Sequence, residues 1–143
     1  AQLKEHSIVR KYRAICAGVI KESEGTVNAP IGRDEKDRKK MTITTKNSRN
    51  AVTHFFVQER FDKYTFVRCR LETGRTHQIR VHFASEGTPL YGDTMYGEAY
   101  GDYNHQALHC GKVKFVHPIS GEEIECVADM PEDMQKLLEK LRK

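Results

Sequence analysis

Apolar and polar positions alternate over residues 8–17 (I-V-R-K-Y-R-A-I-C-A), which predicts a β-strand, and Gly18 and Gly25 punctuate the segment after it. Residues 51–61 (A-V-T-H-F-F-V-Q-E-R-F) and 64–71 (Y-T-F-V-R-C-R-L) are rich in β-branched and aromatic residues. They predict a hairpin turning at Asp62-Lys63. A second hairpin joins residues 112–116 to 122–127 across H-P-I-S-G at 117–121. A helix is expected over residues 76–86, capped by Thr73 or Thr76 and stopped by Gly87 ahead of Pro89. A terminal helix over residues 131–142 has Pro131 at its start, acids in its first turn and bases in its last. Its stripe Met134, Leu137, Leu138 and Leu141 predicts core packing. The pattern is that of a mostly antiparallel β protein with a few helices, with residues 18–50 read chiefly as connection.

Composition narrows the class. The chain has 143 residues, 38% of them apolar, enough for one domain with a modest core. No apolar run approaches the roughly 20 residues that span a bilayer, and no secretory leader opens the chain, so a soluble, cytoplasmic protein is expected. Cys16, Cys69, Cys110 and Cys126 are widely spaced with no C-x-x-C pair, which signals neither a zinc cluster nor a redox dithiol. Charge is unevenly spread. Residues 33–49 hold seven bases (Arg33, Lys36, Arg38, Lys39, Lys40, Lys46, Arg49) against three acids, whereas residues 121–143 hold seven acids against four bases. A basic middle and an acidic end suit a polyanionic partner on one side only, although a run of this size is also compatible with a solvated loop.

Chemistry concentrates in residues 71–97, L-E-T-G-R-T-H-Q-I-R-V-H-F-A-S-E-G-T-P-L-Y-G-D-T-M-Y-G. Arg75, His77, Gln78, Arg80 and His82 crowd one short segment between Gly74 and Gly87, a density that packing alone does not require. Guanidinium forks, imidazoles and an amide beside a glycine turn match the donors that hold phosphate, sugar and base edges. The plainer reading is an amphipathic helix with Ile79, Val81 and Phe83 inward and its polar residues in water.

This stretch resembles the signature of the RluA-type pseudouridine synthases. Arg10-Lys11-Tyr12-Arg13-Ala14-Ile15 resembles the family's K-x-Y-x-A strand, and Ala29-Pro30-Ile31-Gly32-Arg33-Asp34 followed by Arg38-Lys39-Lys40-Met41 resembles its basic connection. Gln106-Ala107-Leu108-His109 resembles a later motif, so the similarity runs in order along essentially the whole chain. The resemblance implies an α+β fold with a mixed, mainly antiparallel sheet flanked by helices. It implies isomerisation of uridine to pseudouridine in ribosomal or transfer RNA, with no cofactor and no metal. The family's nucleophilic aspartate lies in an H-R-L-D-like motif upstream of the K-x-Y strand, and nothing before Tyr12 contains it. Residues 1–143 are therefore expected to be the C-terminal part of a catalytic domain, inactive alone.

By position the resemblance assigns Arg80 to the arginine that pairs with that aspartate. It assigns Tyr12 to the tyrosine that stacks on the extruded base and serves proton transfer, and Leu108 to the apolar lining of the pocket. Arg33, Arg38, Lys39 and Lys40 are expected to contact RNA, and Arg75, His77 and Gln78 to contact RNA and order the protein's own loop. Binding governed by backbone charge weakens steeply with salt. Two alternatives carry different expectations. A non-catalytic RNA-binding module would use the same basic residues and tolerate Arg80→Lys, and a metal-dependent hydrolase would gather His77, His82, His105 and His109. The spacing of His105 and His109 fits hydrogen-bonded loop histidines better than ligands.

Overall fold

A computed structural model describes residues 9–98, 103, 105–116 and 119–142, save the side chains of Val9, Phe115 and Val116. The expected first strand is β1 (Val9–Ala17), and it lies near the middle of a six-stranded antiparallel sheet. Around it are β2 (Glu24–Asn28), β6 (Val52–Arg60), β7 (Tyr64–Leu71), β8 (Leu108–Val116) and β9 (Glu123–Val127), in the order β2-β6-β7-β1-β8-β9. The β6–β7 hairpin turns at Asp62-Lys63 as expected, closed by Phe61 N–H donating to Tyr64 O at 2.8 Å. The β8–β9 hairpin also forms, but part of its turn, residues 117–118, lies outside the described residues.

Residues 18–50 are more ordered than their composition suggested. They supply β2 and a separate three-stranded sheet of β3 (Ile31–Arg33), β4 (Met41–Ile43) and β5 (Ser48–Arg49), ordered β4-β3-β5. Strands of two to five residues carry too little alternation to be read as a period.

Alternation along β1 divides the core between two faces. Ala14 and Cys16 face one side with Val67, Cys69 and Leu71, where Ile79 and Phe83 of α1 (Gln78–Ser85) cover them. Ile15 faces the other side with Phe66, where Met134, Leu137 and Leu138 of α2 (Glu132–Arg142) close the second layer and Leu141 packs at its margin. The α2 stripe is thus core packing, as its period predicted.

Helix α1 departs from the amphipathic pattern. Gln78, Ile79, Val81, His82 and Phe83 are all buried, because the six-stranded sheet lies against one flank and the small sheet against another. Neither Thr73 nor Thr76 caps it. The cap position is His77, in the left-handed region at φ 54° and without a side-chain cap bond, and the Gln78 side chain ties down the loop ahead of the helix, its Oε1 accepting from Arg75 N–H at 3.0 Å and from Thr73 Oγ1 at 2.7 Å. The expected stop at Gly87, with φ 85°, is observed.

Candidate active site

On the α1 face of the sheet, Tyr12, Arg80 and Leu108 line a single hollow of about 320 Å³ with Arg10, Arg75, His77 and Gln106. Three separate elements deliver the first three side chains. Tyr12 comes from β1, in unbroken register with β7, while the register with β8 slips past Gly111 beside it. Cys69 and Cys110 stand opposite it on the two neighbouring strands. Burial, and then the Cys110 thiol, raise the Tyr12 phenol above its ordinary pKa against the opposing pull of the Arg10 guanidinium, so the ring stays protonated at neutral pH. Leu108 opens β8 opposite Ala14 and packs at the edge of the core.

Arg80 projects from α1 onto a carboxylate that sequence reasoning placed elsewhere. Its Nε donates to Asp93 Oδ2 at 2.8 Å and its Nη2 to Asp93 Oδ1 at 2.9 Å, in the side-on bidentate arrangement. The fork expected to pair with the upstream aspartate is thus already held along one edge by a carboxylate of this chain. Two of its three nitrogens are engaged within the chain, and Nη1 has no partner among the described residues. Burial alone pushes the Asp93 carboxyl up, but the Arg80 fork and the N–H groups of Tyr96 and Met95 outweigh it and hold the group below its usual range. The backbone around Leu90 fixes Asp93 in turn, since Tyr91 N–H donates to Ile15 O at 2.7 Å and Ala17 N–H to Pro89 O at 2.8 Å. Y-G-D-T-M-Y-G was visible inside the conspicuous stretch. Its aspartate as the partner of Arg80 was missed because 13 residues and a helix turn separate them.

Tyr96 completes this wall. Its ring lies under the Arg80 guanidinium, with Cζ 5.1 Å from the ring centre, and its hydroxyl accepts from Met41 N–H at 2.9 Å. The same hydroxyl meets His77 Nδ1 at 2.8 Å. Burial and then Arg80 lower the pKa of His77, which favours the neutral ring, and in the tautomer that accepts from the Tyr96 hydroxyl at Nδ1 the Nε2–H is the donor.

The remaining expected contacts separate into two groups. Gln78 is buried and saturated: beyond the two bonds to its Oε1, its Nε2 donates to Val52 O and Thr53 Oγ1, both at 2.9 Å. It orders the loop, one of the two roles expected of it, and its side-chain donors and acceptor are all engaged within the chain. The basic residues behave differently. Asp34 accepts from the N–H groups of Lys36 and Asp37, Asp37 accepts from Lys39 N–H, and Glu35 pairs with Lys46 at 3.3 Å. The acids of the segment are spent locally, while Arg33, Arg38, Lys39 and Lys40 have no carboxylate partner among the described residues. Arg33 braces the loop through Arg38 O at 2.7 Å.

The histidines do not converge. His82 is fully buried between Thr53 Oγ1 and Ala29 O, His105 meets Asp133 at 2.9 Å, His109 meets Ala128 O, and His77 meets Tyr96. Among the described residues no three His, Cys, Asp or Glu side chains are placed to share a metal ion. Nor is any described helix long and apolar enough to cross a membrane.

Comparison with known proteins agrees with this geometry. The family model described as RNA pseudouridylate synthase matches residues 1–85. An uncharacterized RNA pseudouridine synthase of Bacillus subtilis is 54% identical over 143 residues, covering 99% of this chain and 47% of that protein. A ribosomal large subunit pseudouridine synthase D of Xanthomonas campestris is 43% identical over 155 residues, covering 99% of this chain and 46% of its own length. The solved structure of human RNA pseudouridylate synthase domain containing 1 superposes with a TM-score of 0.77 at 26% identity, over 96% of this chain and 67% of that one. The chain thus spans about half the length of the curated relatives it matches.

Proposed function

The chain belongs to the RNA pseudouridylate synthase family, and from that premise we propose that the hollow beside Tyr12 is the uridine site of an RNA pseudouridine synthase. The nucleophilic carboxylate comes from a segment outside residues 1–143. The observation that carries this reading is the convergence of Tyr12, Arg80 and Leu108, from β1, α1 and β8, on one hollow whose described lining contains no carboxylate. Its volume lies at the small end of ligand clefts, which run from about 300 to 1,000 Å³.

In this scheme a uridine swung out of the RNA enters the hollow, at an unstacking cost lowest in loops. An incoming aspartate is aimed and kept ionised by the Nη1 edge of Arg80, whose other edge is anchored to Asp93. The carboxylate attacks the sugar as its bond to N1 breaks, the freed base turns, carbon 5 displaces the carboxylate, and the hydrogen on carbon 5 is then lost while N1 takes up a proton. Tyr12, protonated and half-buried, stacks on the base and carries the proton exchanged there. Leu108 keeps water from the charge pair. The exposed bases Arg33, Arg38 and Lys39, with half-buried Lys40, hold ribosomal or transfer RNA by its backbone, and Arg75 and the Nε2–H of His77 add donors at the mouth.

The test is a chimera in which residues 1–143 replace the matching stretch of the Bacillus subtilis relative, assayed for tritium release from RNA labelled at carbon 5 of uridine. The chimera is expected to turn over and its Tyr12→Phe form to lose about a hundredfold or more. A folded, RNA-binding but inert chimera would overturn the catalytic reading and leave a binding module.

A further inference from the structure

Arg10 precedes Tyr12 by two residues on β1, so both side chains leave the same face of the sheet and line the same hollow. Its guanidinium lies flat against the chain at Gly74. A Cβ there would stand 2.6 Å from Nη1, 3.0 Å from Cζ and 3.3 Å from Nη2, so the contact exists only because residue 74 has no side chain. Nη1 is sealed from solvent and has no hydrogen-bond partner. No carboxylate, carbonyl or aromatic ring engages any part of the group among the described residues. The contrast with its neighbours is chemical: Arg80 holds Asp93 and Arg75 Nε donates to Asn50 O at 2.7 Å. A cationic donor with no acceptor is costly to fold around, and it is the part of the guanidinium that lines the hollow, beside the sealed Nη1, that a ligand can meet.

We propose that Arg10 is the phosphate-binding residue of this hollow, its guanidinium receiving a backbone phosphate that flanks the nucleotide whose base lies against Tyr12. The inference rests on the uridine-site reading above and adds its anchor. A fork of parallel N–H donors matches two oxygens of a phosphate, and RNA brings such a group on each side of every nucleotide. Proximity to Tyr12 is already expressed in the pull that Arg10 exerts on the phenol.

The experiment titrates the isotopically labelled 143-residue chain with uridine, uridine 3′,5′-bisphosphate and acetate, following the arginine Nε–Hε signals and the Tyr12 ring by NMR. The unaltered chain is expected to bind the bisphosphate about tenfold more tightly than uridine, the worth of one charge-assisted contact. Arg10→Gln is expected to abolish that preference, so that the variant binds uridine and the bisphosphate equally, and Arg10→Lys to retain part of it. Unshifted Phe55 and Phe83 ring signals, from the edge-to-face pair in the adjoining core, report that each variant is folded. A bisphosphate preference that survives in Arg10→Gln overturns the proposal and spares the uridine site. Acetate shifting Arg10 as strongly as the bisphosphate also overturns it, by making Arg10 a receiver of the incoming carboxylate. If neither nucleotide moves the Tyr12 ring in the unaltered chain, the uridine-site reading falls too.

Discussion

The two flanks of α1 treat polar groups in opposite ways. Towards β6 every one is matched: Val52 N–H donates to Thr73 Oγ1, Thr73 to Gln78 Oε1, Gln78 Nε2 to Thr53 Oγ1, Thr53 to His82 Nδ1, and His82 Nε2 to Ala29 O. Towards the hollow, Arg10 has no partner and Arg80 has one edge unmatched among the described residues. Both flanks draw on the same conspicuous stretch of sequence, so residue type does not distinguish scaffold from site. Saturation does. Side chains whose donors and acceptors are all used within the chain hold it together, and those left with capacity are the ones a ligand can meet.

The sharpest way to break this contrast is at the seam between the flanks. Asp93→Ala strands the guanidinium of Arg80, whose side chain is only 12% exposed, and is expected to lower stability by about 3 kcal/mol in urea unfolding. A double change of Arg80→Met with Asp93→Leu should recover part of that loss, since it removes both charges together. Next in size, Thr53→Val cuts the closed chain in the middle, leaving Gln78 Nε2 short of one acceptor and His82 Nδ1 without its donor. A loss of about 2 kcal/mol is expected, with the hollow unchanged in nucleotide titration. An equal loss of nucleotide binding would mean that the two flanks are not separable.

The smallest effect is a pH dependence. Burial holds His82 below its ordinary pKa, against the Ala29 carbonyl and Glu86, so the unfolded chain takes up a proton before the folded one does. Its stabilising contribution is complete above the unfolded value of about 6.5 and declines as pH falls towards the lower folded value. His77 is lowered in the same direction and adds to the slope. Melting temperatures between about pH 7.5 and 5.5 should fall with pH, and His82→Gln should flatten the slope without abolishing it.

Legibility in the sequence respects the same division. The long strands, the hairpin at Asp62-Lys63, the α2 stripe and the gathering of Tyr12, Arg80 and Leu108 in one hollow were readable because alternation, turn chemistry and family spacing are local signals. The small sheet was not, because β3 to β5 are too short to show a period. Neither was the Arg80–Asp93 pair nor the burial of Gln78, since each depends on which surfaces meet after folding. Arg10 stood out only as part of a motif, and nothing in a strand pattern distinguishes a satisfied arginine from an orphaned one.

One oxygen spans the gap between docking and chemistry. The Tyr96 hydroxyl joins the backbone of β4, next to Lys39 and Lys40, to the ring of His77 at the lip of the hollow. Under the RNA reading proposed above, a transcript settling on the small sheet would press on the wall of the hollow through a single phenol. Without that phenol the small sheet and the hollow would lose the one oxygen that both of them touch.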